Sequence, residues 1–562
     1  MLRIAIVMII LVMLSLMASY QPIQAATPPF SGTYMDFSED YYLPTSKFPE
    51  YFDELTALGM DIVIVGTTKH LQGSSCSKPH SYYWYPGFPE KLWSFITEAT
   101  RKNIKVWIGL VNSNSNCLYN YLYGIGAMDD DIDQMSSIVT TITQDTRFPQ
   151  YTNTIAGWYI TNETPADIND SGFDHYFQKA VQTIKSLTPN KPVMMSPYLA
   201  TIASNPTTTA ANLSRFKQLT GLDIFFMQDS VGADMQDIGW NRNTYSVSQY
   251  FSAISQAVGR NSLWLDAETF TSANLPSNFS YDGNFGVIST GFSRLKMQAD
   301  AVPDSVVDKR MLFIQQFDMT DINSFHYGGN RLKSSYMAYY GLKNEYIRPT
   351  YTWISPPHAN YPDHGNELFD LKMGDPKPGH YQKGWIGIIG NVVTQYDLGI
   401  TKTVHSIGLH VLHFLDAAIK IPDSFTVECS LDNVVWNTVF TKNYPKTYRY
   451  DGEFVYSTDA NLGIQCRYLR TTLKQNISWY FTFVTEAEIV ASPYTPVNTP
   501  TSTPIPTPGD ANADGRVNGI DYVIWLNNYG NSNPQGPSQG DFNSDRAVNG
   551  VDYVIWLNNY TG

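Results

Sequence analysis

The stretch "GWYITNE", residues 157–163, is apolar and aromatic for several positions and then ends on Asn162 and Glu163. It reads as a β-strand whose last side chains are an amide and a carboxylate. Seven more β-rich runs lie between about 30 and 348: "GTYMDF", "DIVIVGT", "IKVWIGLV", "PVMMSPY", "LDIFFMQ", "SLWLDAETF" and "RMLFIQQF". Helical stretches separate them. Pro49 leads "EYFDELTALG", Pro89 leads "EKLWSFITEATRKN", and Ser171 stands ahead of "FDHYFQKAVQTIKSL" as the expected cap of that helix. Strand–helix alternation repeated eight times predicts βα units, which can close into a (β/α)8 TIM barrel over residues 27–350. Periodicity alone does not decide closure. The competing fold is a doubly wound open sheet, which usually carries a Gly-rich phosphate turn after its first strand, and "TYMDFSEDYY" has none.

If the barrel closes, Glu163 at the end of strand 4 and Glu268 at the end of strand 7 both stand on its C-terminal rim, where such barrels keep their working residues. Asp266, two residues before Glu268, shares its side of the strand and is the substitute candidate. Two carboxyl groups suit glycoside hydrolysis: one protonates the leaving oxygen, and the other attacks or activates water. Asp36, His70, Asn112, Asn162, Tyr198, Gln228, Asp229 and Asp318 are rim candidates for hydrogen bonds to sugar hydroxyls. Trp84, Tyr121 and Trp240 are candidates for stacking on sugar rings or for packing their own loops. An acid at a strand end can also simply cap a helix or pair with arginine. No His/Asp cluster in the barrel has metal-ligand spacing.

Composition narrows the partners. The net charge is −14 and only 16% of the 562 residues are charged, which disfavours nucleic acid and anionic membrane surfaces. Residues 1–26 read as a secretory signal peptide, with Arg3, the apolar run from Ile4 to Met17 and the small pair Ala25 and Ala26. The expectation is a secreted product, extracellular or at the cell surface, with no membrane association once the signal is removed. In an exported chain the four cysteines suggest the pairs Cys76–Cys117 and Cys429–Cys466, each inside one domain, with free buried thiols as the alternative.

Residues 351–492 change to short alternating strands, predicting a β-sandwich. Residues 493–508 hold six prolines and read as a stiff Pro/Thr spacer. Residues 509–562 contain two loops, "DANADGRVNGID" and "DFNSDRAVNGVD", each followed by "YVIWLNNY". Their oxygen donors recur at EF-hand spacing: Asp510, Asn512, Asp514, the Arg516 carbonyl, Asn518 and Asp521, then Asp541, Asn543, Asp545, the Ala547 carbonyl, Asn549 and Asp552. Two calcium ions are expected. Arg546 occupies the position where such loops place glycine, so the second site is expected to be the weaker.

Three resemblances attach to these residues. "YPDHGNELFDLKMGD", "YDLGITKTVHSIGLHV", "IPDSFTVECSLDNVVW" and "CRYLRTTL" resemble discoidin-like, coagulation-factor-type C domains, which implies a jelly-roll sandwich that can hold one structural calcium ion. The duplicated calcium loop behind a Pro/Thr linker resembles a type I dockerin, which implies docking to a cohesin on a scaffold or surface. Gly519 with Ile520, and Gly550 with Val551, stand where many dockerins carry a Ser/Thr pair. Asn162–Glu163 with Glu268 resembles the clan of retaining TIM-barrel glycosidases, in which the strand 4 glutamate is acid/base and the strand 7 glutamate nucleophile. "MSPY", "MQDSVG" and "DAETF" look more closely like a bacterial family of glycoside-hydrolase-like barrels classed as a domain of unknown function. The combined expectation is a modular glycoside hydrolase; the alternative is a non-catalytic carbohydrate-binding or adhesion protein.

Overall fold

The computed structural model describes residues 27–35, 43–71, 81–112, 128–200, 204–233, 236–238, 244–272, 280–281, 284–285, 287–313, 329–376, 384–443, 452–458, 462–494 and 507–562. Asp36, Asp318, Cys76, Cys117, Tyr121, Trp240, the side chain of Asn112, the signal segment and most of the linker lie outside them. The chain forms two compact units, 1–493 and 494–562.

Eight parallel strands close the first half of unit one into a barrel: β1 (Gly32–Met35), β2 (Ile62–Val65), β3 (Lys105–Gly109), β4 (Ile155–Pro165), β5 (Val193–Tyr198), β6 (Ile224–Gln228), β7 (Leu263–Glu268) and β8 (Lys309–Phe313). Each pairs with its sequence neighbours, and β8 returns to β1 through Gly32 opposite Met311. Alternation gives the closed sheet two apolar faces. Ile62, Ile64, Trp107, Tyr159, Met194, Ile224, Phe226, Trp264 and Met311 fill the interior as one cluster. The intervening residues, such as Val63, Phe225 and Leu265, join the core beneath the helices. Those helices follow the strands in turn: α1 (Phe48–Ala57), α2 (Glu90–Arg101), α3 (Met128–Thr143), α4 (Ser171–Leu187), α5 (Pro206–Thr220), α6 (Val247–Val258), α7 (Phe292–Ala301) and α8 (Gly329–Tyr339). The expected cap Ser171 is corrected: Asp170, extended at φ −136°, accepts from the backbone of Gly172 and Phe173, and Ser171 is already helical.

A nine-stranded antiparallel sheet with its own core follows. Its spine is the strand Val392–His413, bent by a register shift between Asp397 and Lys402, so that one strand pairs along both halves of a sandwich. The sheet begins with the strand Glu345–Ile347, paired to Phe481–Pro493, ahead of the boundary expected at 350. Cys429 and Cys466 are joined by a disulfide.

In the second unit, α9 (Gly519–Asn528) and α10 (Gly550–Asn559) are capped by Asn518 and Asn549, with Asp521 and Asp552 completing the capping boxes. Trp525 donates to the Asn549 carbonyl at 3.0 Å and Trp556 to the Asn518 carbonyl at 2.9 Å, a reciprocal pair that mirrors the sequence repeat. Among the described residues no helix is long and apolar enough to cross a membrane.

Candidate functional site

Glu163 reaches the barrel mouth through an irregularity. Ile160 pairs with Met195 but Thr164 with Pro197, so β4 carries extra residues at Thr161–Glu163 against β5. A bulge of this kind turns a side chain out of the regular alternation. Asn162 is buried beside it. On β7, Trp264 faces the interior, so Asp266 and Glu268 follow it inward by the period of two. Gln228, ending β6, donates to Glu163 Oε1 at 2.9 Å and to Ser196 Oγ at 3.3 Å. Ser196 in turn donates to Asp266 Oδ2 at 3.4 Å. A polar chain thus joins Glu163 to Asp266 through side chains of four strands, β4 to β7.

Glu268 is only 2% exposed, and its Oε2 accepts from Ala233 N–H at 2.7 Å. Gly232 permits that approach, because a Cβ there would lie 2.8 Å from the Glu268 Cβ and overlap the Phe270 carbonyl. Asp229 is fully buried and engaged within the protein. Its Oδ1 accepts from the Val231 and Glu268 amides, and its Oδ2 from Gln298 at 2.7 Å. Both of its oxygens are thus occupied by protein donors, one of them the Glu268 amide. Gln298 and Arg294, one helical turn apart on α7, also donate to the Glu268 carbonyl, at 2.9 and 3.0 Å.

Four carboxyl groups in so little space disfavour ionisation. Burial raises Asp266 well above the usual range, and the charges of Asp229, Glu268 and Glu163 add to it. Burial, then Asp229, pushes Glu268 to about 8 against the pull of Ala233 N–H and Arg294, with Glu163 contributing further. Asp229 is pushed by burial to about 6, its hydrogen bonds and Arg294 acting against the rise. Glu163 keeps accessible surface as a residue, yet its carboxyl is densely surrounded and burial raises its pKa, opposed by the Gln228 hydrogen bond. The crowding governs the proton, because desolvation depends on the protein packed around the carboxyl.

The remaining rim candidates are dispersed. Tyr198 ends β5, half-buried and paired in register with Gln228. His70 and Trp84 stand on a separate three-stranded sheet formed by Lys69–Leu71, Tyr82–Trp84 and Val111–Asn112. His70 stacks on Tyr83, and Trp84 on Phe88 with Lys69 over its ring. Ser196, Arg294 and Gln298 were not anticipated. The available signal was two polar side chains, Arg294 and Gln298, one turn apart on the apolar face that buries Leu295 and Ala299.

The tail loops share one pattern. Asp510 Oδ2 accepts from Gly515 N–H at 2.8 Å, and Asp541 Oδ2 from Arg546 N–H at 3.0 Å. Asp521 accepts from Ala511, Asn512 and Asn518, as Asp552 does from Phe542, Asn543 and Asn549. Gly515 has φ +84° and Arg546 φ +68°, so the arginine adopts the left-handed turn that glycine makes in the first loop. Among the described residues no three His, Cys, Asp or Glu side chains group as a metal site. An ion in either loop would draw on asparagine and carbonyl oxygens too, an all-oxygen set suited to a hard cation.

The family profile described as "Domain of unknown function (DUF4434)" matches residues 30–322, and that of the "Dockerin type I domain" matches residues 508–560. No curated protein sequence matches the chain. Among solved structures, a candidate α-L-fucosidase from Bacteroides thetaiotaomicron is 16% identical over 58% of this chain and 96% of that one, with a TM-score of 0.44. A glycoside hydrolase family 5 protein from Bacteroides vulgatus is 10% identical over 79% and 89%, at 0.36. The C-terminal domain of a chitobiase from Bacteroides fragilis is 11% identical over 27% and 100%, at 0.20. At such identities none transfers an activity. The chain belongs to the DUF4434 family and carries a type I dockerin domain at its C-terminal end.

Proposed function

We propose that the protein is a secreted glycoside hydrolase whose barrel cleaves a polysaccharide or glycan with Glu163 and Glu268, and whose tail tethers it through calcium-bound loops to a cohesin. The observation that carries this reading is the acid cluster at the C-terminal ends of β4, β6 and β7, in which Glu163 and Glu268 share one electrostatic site. In the retaining version Glu163 protonates the leaving oxygen while Glu268 attacks the anomeric carbon, forming a glycosyl ester. Glu163, now a carboxylate, takes a proton from the water that hydrolyses it. The two carboxyl groups would then stand roughly 5 to 5.5 Å apart with sugar bound. Asn162 would hold the sugar beside them. Asp510, Asn512, Asp514, Asn518 and Asp521, and their counterparts from Asp541 to Asp552, would hold calcium, which supplies the charge that lets facing carboxylates pack.

A second assignment exchanges the two roles. It is favoured by the proton of Glu268, which is retained to about 8 in the ligand-free site. An aryl fluoroglycoside trap separates the assignments: an ester on Glu268 supports the first, and one on Glu163 the second. Incubation with a polysaccharide panel tests the activity itself. Binding without release of reducing sugar, unchanged by Glu163→Gln, would leave a carbohydrate-binding protein instead.

A further inference from the structure

The helix that steadies the acid cluster is itself held from outside the barrel. α7 begins against the strand Phe481–Pro493 of the sandwich, where Phe292 N–H donates to Glu488 Oε1 at 2.7 Å and Ser293 Oγ to Glu486 Oε2 at 3.1 Å. Glu488 also accepts from Arg331 at 2.8 Å and Ser335 at 2.6 Å, both on α8. His410 from the strand Val392–His413 lies between Glu488 at 2.6 Å and Glu453 at 2.9 Å. All of these side chains are buried. Burial works to raise Glu488, but Arg331 and His410 override it and hold the carboxylate ionised. A fixed negative charge at the first turn of α7 complements the helix dipole. Gly291 makes the contact possible, since a Cβ there would overlap the His410 ring. Arg331 also donates to the Thr290 carbonyl at 2.8 Å, while the Thr290 amide donates to the Thr269 carbonyl at 2.9 Å, next to Glu268.

We infer that the β-sandwich is a positioning element of the barrel's site: Glu488 fixes α7, and Gln298 and Arg294 on α7 fix Asp229 and the backbone at Glu268. The geometry runs without a break from sandwich to site. Glu488 holds the start of the helix at Phe292, and Gln298, between one and two turns further on, donates to both Asp229 and the Glu268 carbonyl. In this arrangement a domain whose fold suggests an appended module sets where the candidate nucleophile sits. Gln298 and Arg294 act through Asp229 and Glu268, so they are positioning residues.

The inference rests on the hydrolase reading for its catalytic consequence alone, and hydrogen exchange tests it independently. In the full chain, Glu488→Gln is expected to raise amide exchange at Phe292–Leu295 and also at Asp266–Phe270 by at least about tenfold, about 1.4 kcal/mol of local opening, leaving Ile62–Val65 unchanged. Gln298→Met, which leaves the interface intact, is expected to loosen Asp266–Phe270 and Asp229–Ala233 without affecting the sandwich strands. It serves alone if the Glu488 variant fails to fold. Loosening in Glu488→Gln that stops at the sandwich and α7, or a Gln298→Met variant with unchanged exchange at Asp266–Phe270, overturns the coupling. With a cleaved substrate in hand, both variants should lose kcat with KM little changed and shift the pH profile. A wild-type protein that cleaves nothing counts against the hydrolase reading, and the exchange result still decides the coupling.

Discussion

Replacing Glu268 by glutamine isolates the proton that the acid cluster stores. The side chain keeps its size, and its amide oxygen can still accept from Ala233 N–H, so packing and the 2.7 Å hydrogen bond are retained. Only the ability to ionise is lost. Glu268 is raised by burial and by Asp229 from the ordinary 4.5 to about 8. Between those values the unfolded chain releases a proton that the folded chain keeps, so stability is full below the lower value and falls as pH rises through the window. The wild type should therefore lose stability relative to Glu268→Gln by about 1 kcal/mol at pH 5 and about 3 kcal/mol at pH 7, approaching a ceiling near ~5 kcal/mol above pH 8. Asp229, pushed by burial to about 6, adds a fall of the same sign in both proteins. Thermal unfolding of both proteins at half-unit pH steps measures it. The variant's melting temperature should pull ahead by roughly 5 to 10 °C at pH 7 and converge with the wild type near pH 4. A difference that is flat with pH, or that widens on acidification, would refute the assignment of a stored proton to Glu268.

How far the sequence discloses this protein differs by element. The eight barrel strands were legible because each alternates apolar residues facing in with apolar residues facing the helices, as Trp264 and Leu265 do on β7. Glu163 and Glu268 were legible as acids ending such strands. Closure was not, because it depends on β8 meeting β1, a pairing that no local pattern encodes. The bulge that brings Glu163 to the barrel mouth was equally hidden, since a register difference between β4 and β5 exists only once the two strands are paired. Asp170 and Ser171 are both capping types, and the backbone angle that chooses between them is set by the loop. Asp229 looked like a sugar contact because it follows a strand end. Its role is fixed by Gln298, which comes from a helix 69 residues away. The proton on Glu268 is the least legible feature, because it is a sum over burial and two other carboxyl groups, Asp229 and Glu163, that only the folded barrel assembles.

Asp170→Ala should cost about 1 kcal/mol in thermal unfolding while Ser171→Ala changes little, reversing the order expected from sequence. Replacing Cys429 and Cys466 together by alanine opens a link of sequence separation 37 and should destabilise the sandwich by about 4 kcal/mol in the chain-entropy model; an unchanged melting temperature under reducing conditions would contradict it. The last expectation concerns the two calcium loops, which share their hydrogen bonds but not their turn residue. Gly515 takes φ +84° freely, whereas Arg546 takes φ +68° against its own Cβ, at a cost of about 1 kcal/mol. If the loop orders as calcium binds, that cost falls on the second site's affinity. Arg546→Gly should then tighten the second site by about fivefold to tenfold in titration calorimetry, and Gly515→Arg should weaken the first by a similar factor. Removing the positive charge would also favour a cation, so Arg546→Gln is the control, because it discards the charge and keeps the Cβ. If the glutamine variant gains as much as the glycine variant, the weaker second site is a matter of charge and the backbone argument fails.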